Sequence, residues 1–383
     1  MTDTFEIHKK NIGKLEICNT VKVETRDDLS QIYTPNVGKI CMAIKDNPDL
    51  VRDYTIAGKM VAVISDGTAV LGFGNIGARA ALPVMEGKCV IFKEFAGLNA
   101  FPICLDTQDT EEIIKIVKAI SVNFAAINLE DISAPRCFEI EKRLSEELDI
   151  PIVHDDQHGT AIVCLAALRG ALHIKFKILN LKFKKINVVV VGAGAAGNAI
   201  TRLLHASDLP IESIKLFDSK GLVSSDRTEM DKYKMEMAKL TGQTKTESLG
   251  QGLKNADVFI GVSGPNILTP EMIKQMTPEP IIFAMANPSP EIMPDEAKKA
   301  GAMIVATGRS DYDNQINNAL AYPGMFKGLL SAKINKVTIE IKLAVAKAIF
   351  EYNLPNLSVT NLLPSILDKE VPKMIEKTIK GLI

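Results

Sequence analysis

The stretch that most restricts what this chain can fold into lies near its middle. Lys184-Lys-Ile-Asn-Val188-Val-Val-Val191 is a short, mostly apolar run, the pattern of a strand buried on both faces of a parallel sheet. Gly192-Ala193-Gly194-Ala195-Ala196-Gly197 follows at once, and then a helical pattern, Asn198-Ala-Ile-Thr-Arg-Leu-Leu. The next apolar run, Ile214-Lys-Leu-Phe, ends in Asp218. Strand, glycine turn, helix and a terminal acid in this order predict a Rossmann-type NAD(P)-binding unit. The glycines admit a pyrophosphate at the helix N-terminus, and the acid accepts from the ribose. Gly192 through Gly197 and Asp218 are thus the expected cofactor contacts. Asp218 favours NAD by repelling a 2′-phosphate, whereas Lys220 works in the opposite sense.

Further βα units continue on both sides. Downstream, Asn255–Gly264, Ile281–Ala286 and Met303–Gly308 read as strands, followed by Asn287-Pro288 and by a loop holding Asn317-Asn318. Upstream, the strand Asn123–Leu129 runs into Glu130-Asp131, and the strand opening at Ile150 runs into Asp155-Asp156. Helices are expected at 110–121 and 136–148. Two neighbouring units therefore end in paired acids at one edge of a sheet. Crowded carboxylates repel and raise each other's pKa unless a cation neutralises them, and an all-oxygen donor set suits Mg²⁺ or Mn²⁺ better than zinc. His154 and His158 have the spacing of a zinc-binding helix, but Pro151, the β-branched run before them and Gly159 after them oppose one.

The region before these acids carries weaker signals. Tyr33-Thr34-Pro35-Asn36 is a constrained turn that fixes Tyr33. Met60–Ser65 and Ala69–Gly72 flank Asp66-Gly67 and predict a hairpin. Gly72-Phe-Gly74-Asn-Ile-Gly77 matches a dinucleotide loop formally. It reads instead as a structural loop, because Pro83 interrupts the following helix and the strand expected at Cys89–Lys93 ends without an acid. Lys88 would enter that apolar strand partly desolvated, with a lowered pKa suited to a base. The first 30 residues read as one or two helices, and helices are also expected at 328–352 and 364–383.

At 383 residues the chain has room for two domains. Its 45 basic and 46 acidic residues leave no basic footprint for nucleic acid, so the expected partner is a small molecule. No apolar run approaches a membrane span, and the N-terminus lacks an apolar leader, which points to a cytoplasmic protein. The six cysteines include no CxxC and read as reduced, structural thiols.

Tyr33-Thr34-Pro35, Gly87-Lys88, Glu130-Asp131, Asp155-Asp156 and Gly192–Gly197, in that order, resemble a malic enzyme of the small bacterial or archaeal type. The resemblance implies an α/β protein with a catalytic domain at 1–160, a Rossmann domain at 161–330 and a helical segment at 331–383. It implies a divalent metal on Glu130, Asp131 and Asp156 with Asp155 in support. Lys88 is then the general base, Tyr33 the general acid, Asn318 a substrate contact beside Lys88, and Asn287 a group near the nicotinamide. The implied reaction is oxidative decarboxylation of malate to pyruvate by a homodimer using NAD or NADP. Two departures stand out. Asn36 replaces a usual glycine, and Ala69 stands where larger relatives place an arginine for a malate carboxylate. A malolactic enzyme, an amino-acid dehydrogenase and a catalytically silent nucleotide-binding module are the competing readings.

Overall fold

A computed structural model describes residues 3–180 and 184–383. Four parallel strands make the first sheet: β1 (Met60–Ser65), β2 (Asn99–Cys104), β3 (Ala126–Leu129) and β4 (Ile152–His154), in the order β2-β1-β3-β4. The expected hairpin at Asp66-Gly67 does not form. Both edges of β1 are taken by parallel neighbours from distant sequence, and Ala69–Gly72 leaves as a loop. Asp66 is buried and paired with Arg136 at 2.8 Å, so the turn-forming acid serves an ion pair.

The strand expected at Cys89–Lys93 is also absent. These residues finish the helix Ala78–Ile91 and its π-helical extension Phe92–Ala96, with Gly87 inside the helix. Ala78, Ala81, Met85, Lys88, Cys89, Phe92 and Ala96 are the buried positions, a three-to-four spacing that marks one helical face. The β-branched pair Val90-Ile91 fits either period locally. Ala81 and Met85 upstream decide for the helix.

The six-stranded second sheet comprises β5 (Ile186–Val191), β6 (Ile211–Asp218), β7 (Gly221–Leu222), β8 (Val258–Gly261), β9 (Ile281–Ala284) and β10 (Ile304–Thr307). Its order is β10-β9-β8-β5-β6-β7, with β7 alone antiparallel. The chain leaves β5 toward β6 on one side and returns on the other as β8, which opens a crevice at the carboxyl end of β5.

One helix of 24 residues, Asp155–Ile178, joins the sheets. Every residue from Ala161 to Leu168 is buried, and an element apolar on all sides must be enclosed. The largest core cluster accordingly runs from Val61 and Val153 through this helix to Val188 and Ile260. Helices Tyr322–Ser331, Ile339–Asn353 and Glu370–Lys380 also join that core. The Phe92 ring lies 4.8 Å from that of Tyr322 and 5.1 Å from that of Phe326. Helix Tyr322–Ser331 thus packs against the π-helical extension Phe92–Ala96.

The N-terminal helices Thr4–Asn11, Arg26–Ile32, Val37–Asp46 and Val51–Tyr54 bury no side chain. No helix among the described residues is long and apolar enough to cross a membrane. All six cysteines are unpaired: Cys89, Cys137 and Cys164 are buried as expected, whereas Cys18 and Cys41 are on the surface.

Candidate active site

The two acid pairs meet because β3 and β4 are parallel neighbours that end at one edge. Glu130 follows β3 directly, and Asp131 turns the chain with φ of +53°, a conformation aspartate tolerates. The Asp131 backbone N–H donates to Asp156 Oδ2 at 2.8 Å, which ties the pairs together. Asp155 and Asp156 open the long helix, where its dipole favours negative charge. Glu130, Asp131 and Asp156 each offer an oxygen, all within 4.8 Å of one another.

Asp155 faces elsewhere. Its carboxylate is fully buried and lies 2.5 Å from Lys88 Nζ, which also pairs with Glu130 at 2.9 Å and donates to Asn318 Oδ1 at 3.4 Å. The Tyr322 ring covers the ammonium at 4.3 Å. Burial pushes the Lys88 pKa down, but Asp155 and Glu130 outweigh burial and hold it well above the usual lysine value. The lowered pKa expected for a lysine entering a strand is therefore reversed, because the residue sits on a helix facing acids. Burial and neighbouring charges push Asp131 up to about 9. Burial pushes Asp155 up to about 6 against the pull of Lys88, and Glu130 is raised as well. Asp131 Oδ2 and Asp155 Oδ1 are buried without a hydrogen-bond partner among the described residues. Crowded, oxygen-only and short of donors, this donor set fits a hard divalent cation.

Gly159 keeps room for that arrangement. A Cβ there would stand 2.0 Å from Asp155 Oδ1 and 3.1 Å from Asn318 Cβ. Gly159→Ala should gain ~1 kcal/mol of helix propensity yet displace the Asp155 carboxylate from Lys88. The expected result is lost turnover in a folded protein, checked by kcat alongside thermal melting; normal kcat would show that Asp155 tolerates the shift.

Lys88, Glu130, Asp131, Asp156, Thr160, Asn287 and Asn318 line a cavity of about 330 Å³. Its neighbour, about 750 Å³, lies at the carboxyl end of β5 and is lined by Gly192, Ala193, Gly194, Asp218 and Lys220. Ser263 borders both. Gly192 has φ of +110° and a Cβ there would lie 2.4 Å from the Val262 carbonyl oxygen. At Gly197 a Cβ would lie 1.7 Å from the Gly192 carbonyl oxygen, so this glycine serves helix packing. Ala195 opens the helix Ala195–His205, and Ala196 faces the smaller cavity.

Asp218 reaches its cavity with its oxygens already engaged. Arg227 donates to both at 2.9 and 3.1 Å, Lys234 donates at 2.7 Å and the Lys220 backbone N–H at 2.9 Å. Burial opposes its ionisation, but Arg227 and Lys234 prevail and hold the carboxyl at about 2. The sequence reading treated this acid as free for a ribose and missed both cations. Tyr33 is not brought to the site within one chain: it caps helix Arg26–Ile32, is 66% exposed and lines neither cavity. Nor do the histidines converge, since His158 Nε2 meets Glu141 at 2.8 Å while His154 lies 3.8 Å from Asp156. Tyr322 was missed: Asn318–Leu320 is a short 3-10 turn and a new helix opens at Tyr322, so no helical period in the sequence linked it to Asn318.

Comparison with known proteins agrees with this geometry. The family models for the malic enzyme N-terminal domain and the malic enzyme NAD-binding domain match residues 12–145 and 157–375. An NAD-dependent malic enzyme of Geobacillus stearothermophilus is 52% identical over 96% of this chain and 76% of its own. A bifunctional malic/malolactic enzyme of Bacillus subtilis is 48% identical over 98% and 91%. The crystal structure of an NAD-dependent malic enzyme from Thermotoga maritima superposes with a TM-score of 0.92 at 44% identity, covering 100% of both chains. With its acid cluster, buried lysine and nucleotide loop carried on the two matched domains, the chain belongs to the malic enzyme family.

Proposed function

We propose that this protein oxidatively decarboxylates (S)-malate to pyruvate and CO₂ with NAD or NADP, in a reaction that depends on a divalent metal. The observation that carries the proposal is the meeting of Lys88 and the acid cluster in a cavity that shares Ser263 with the nucleotide cavity. The catalytic domain is assigned to 1–160, the nucleotide domain to 161–330 and the helical tail to 331–383. Glu130, Asp131 and Asp156 would hold Mg²⁺ or Mn²⁺. Bound there, the ion supplies a Lewis acid for the substrate oxygens, and the nicotinamide supplies the hydride acceptor.

The chain's own groups move the protons. Asp155, 2.5 Å from Lys88, would take the ammonium proton once a cation on Glu130 weakens the field that holds that proton, leaving an amine to accept the C2 hydroxyl proton. Asn287 and Asn318 orient the carboxylates, a role that matters because Lys88 is the sole cationic side chain among the described lining residues. Tyr33 protonates C3 of the enol product. Its exposed hydroxyl is replaceable in part by water, so Tyr33→Phe should reduce kcat by about 10²-fold, the low end for a general acid. An unchanged kcat would remove Tyr33 from the mechanism.

Nicotinamide reduction on malate plus Mn²⁺, lost with EDTA, tests the whole reading. Lactate without net reduction would identify malolactic chemistry, activity surviving EDTA an amino-acid dehydrogenase, and binding without turnover a silent module. Phe5, Ile12, Ile17 and Met42 are exposed on the N-terminal segment, and a homodimer covering this face accounts for them. The assembly would also bring Tyr33 to a cavity. Sedimentation should give two chains per particle, and a single-chain species at micromolar concentration would overturn the dimer. A cytoplasmic location suits the unpaired thiols.

A further inference from the structure

Helix Arg136–Glu147 looks like an ordinary amphipathic surface helix, yet one of its acids turns inward. The Glu141 side chain is 14% exposed and meets three groups from the turn that begins the long helix. Oε1 accepts the His154 backbone N–H at 2.7 Å, and His158 Nε2 lies 2.8 Å from the same oxygen. Oε2 accepts the Gln157 side-chain amide at 3.0 Å. His154 is the N-cap of that helix and provides no side-chain cap. In a capping box an acid three residues into the same helix accepts from the N-cap N–H. Here Gln157 occupies that third position as a donor, and the acceptor comes from a different helix.

The bonded residues bracket Asp155-Asp156 on both sides. Asp156 has one hydrogen bond of its own, from the Asp131 N–H, and its side chain is 30% exposed. Its direction is therefore set mainly by the turn that carries it. Burial opposes the charge on Glu141, but His158, His154 and Lys342 outweigh burial and hold its carboxyl at about 2, so the acceptor stays ionised.

We propose that Glu141 is a positioning residue of the active site: by gripping His154, Gln157 and His158 it aims Asp156 at the metal and Asp155 at Lys88. The inference rests on the metal assignment above. A role confined to joining two helices would lower stability and leave metal affinity alone. Mn²⁺ binding, followed on the full chain by the electron paramagnetic resonance of free Mn²⁺ without substrate, separates the two. Glu141→Ala should weaken Mn²⁺ binding about tenfold, the lower end for groups that orient a metal site. Glu141→Gln keeps an acceptor for the His154 N–H and should show a smaller loss. NADH binding, set by the Gly192–Gly197 loop, should be unchanged in both. Normal Mn²⁺ affinity in whichever variant folds would overturn the proposal, as would equal losses of Mn²⁺ and NADH binding, which report general damage. Asp156→Asn is the control: if it binds Mn²⁺ like the unmodified chain, the metal assignment fails and the positioning role fails with it.

Discussion

Lys88→Ala is expected to lower malate turnover by ~10²–10⁴-fold, the range for loss of a general base. The same substitution should destabilise the ion-free protein. Lys88 Nζ pairs with Glu130 at 2.9 Å and with Asp155 at 2.5 Å, and all three side chains are at most 10% exposed. Removing one member of a buried pair leaves an uncompensated charge and typically costs ~3–5 kcal/mol. The acids relieve part of that cost by taking up protons, as their raised pKa values allow. Added Mn²⁺ should recover part of that stability, because it returns positive charge to Glu130, the carboxylate that Lys88 shares with the candidate metal group, but it should not recover turnover. Thermal melting and kcat, each measured with and without Mn²⁺, check both parts. Near-normal turnover in Mn²⁺ would place the base on another residue.

What the sequence disclosed about this site followed the reach of local signals. The Gly192–Gly197 loop was legible because strand, turn and helix are contiguous, and Gly192 and Gly197 each have a backbone reason. Glu130-Asp131 and Asp155-Asp156 were legible because each pair ends a β-branched run, and parallel pairing of β3 with β4 then brings them to one edge. Lys88 stood out as a candidate base, but its environment was misread. Cys89-Val-Ile-Phe satisfies a strand pattern over four residues, while the helical face declares itself only with Ala81 and Met85. The hairpin at Asp66-Gly67 failed for a related reason: turn chemistry is local, whereas β1 pairs with strands 39 and 65 residues away in register, where a crossover connection replaces the tight turn. Arg227 and Lys234, which occupy Asp218, come from beyond the strand that the nucleotide pattern covers. Glu141 was the least visible. An acid among Glu139, Lys142 and Arg143 looks like part of a solvated face, and only the packing of its helix against the 154–158 turn gives it partners.

Asp155 and Asp156 are adjacent, yet the structure gives their carboxylates different partners, and under the proposed roles isosteric substitution should separate a metal ligand from a partner of Lys88. Asp156→Asn removes a ligand charge and keeps an acceptor for the Asp131 N–H, now bonded at 2.8 Å. The fold and NADH binding should persist. Mn²⁺ affinity should fall, and because a Lewis-acid ion supplies several kcal/mol to such a reaction, kcat/KM at fixed Mn²⁺ should drop by about 10³-fold or more. Asp155→Asn should behave differently. That carboxylate is fully buried against Lys88, so its loss should spare most of the Mn²⁺ affinity and depress kcat through proton transfer. It should also lower the Lys88 pKa, since Asp155 is the strongest charge holding it up. The pH at which kcat rises should then shift downward even as the maximum falls. Crossing the two readouts is decisive: loss of Mn²⁺ binding in Asp155→Asn with retention in Asp156→Asn would reverse the assignment of ligand and proton acceptor.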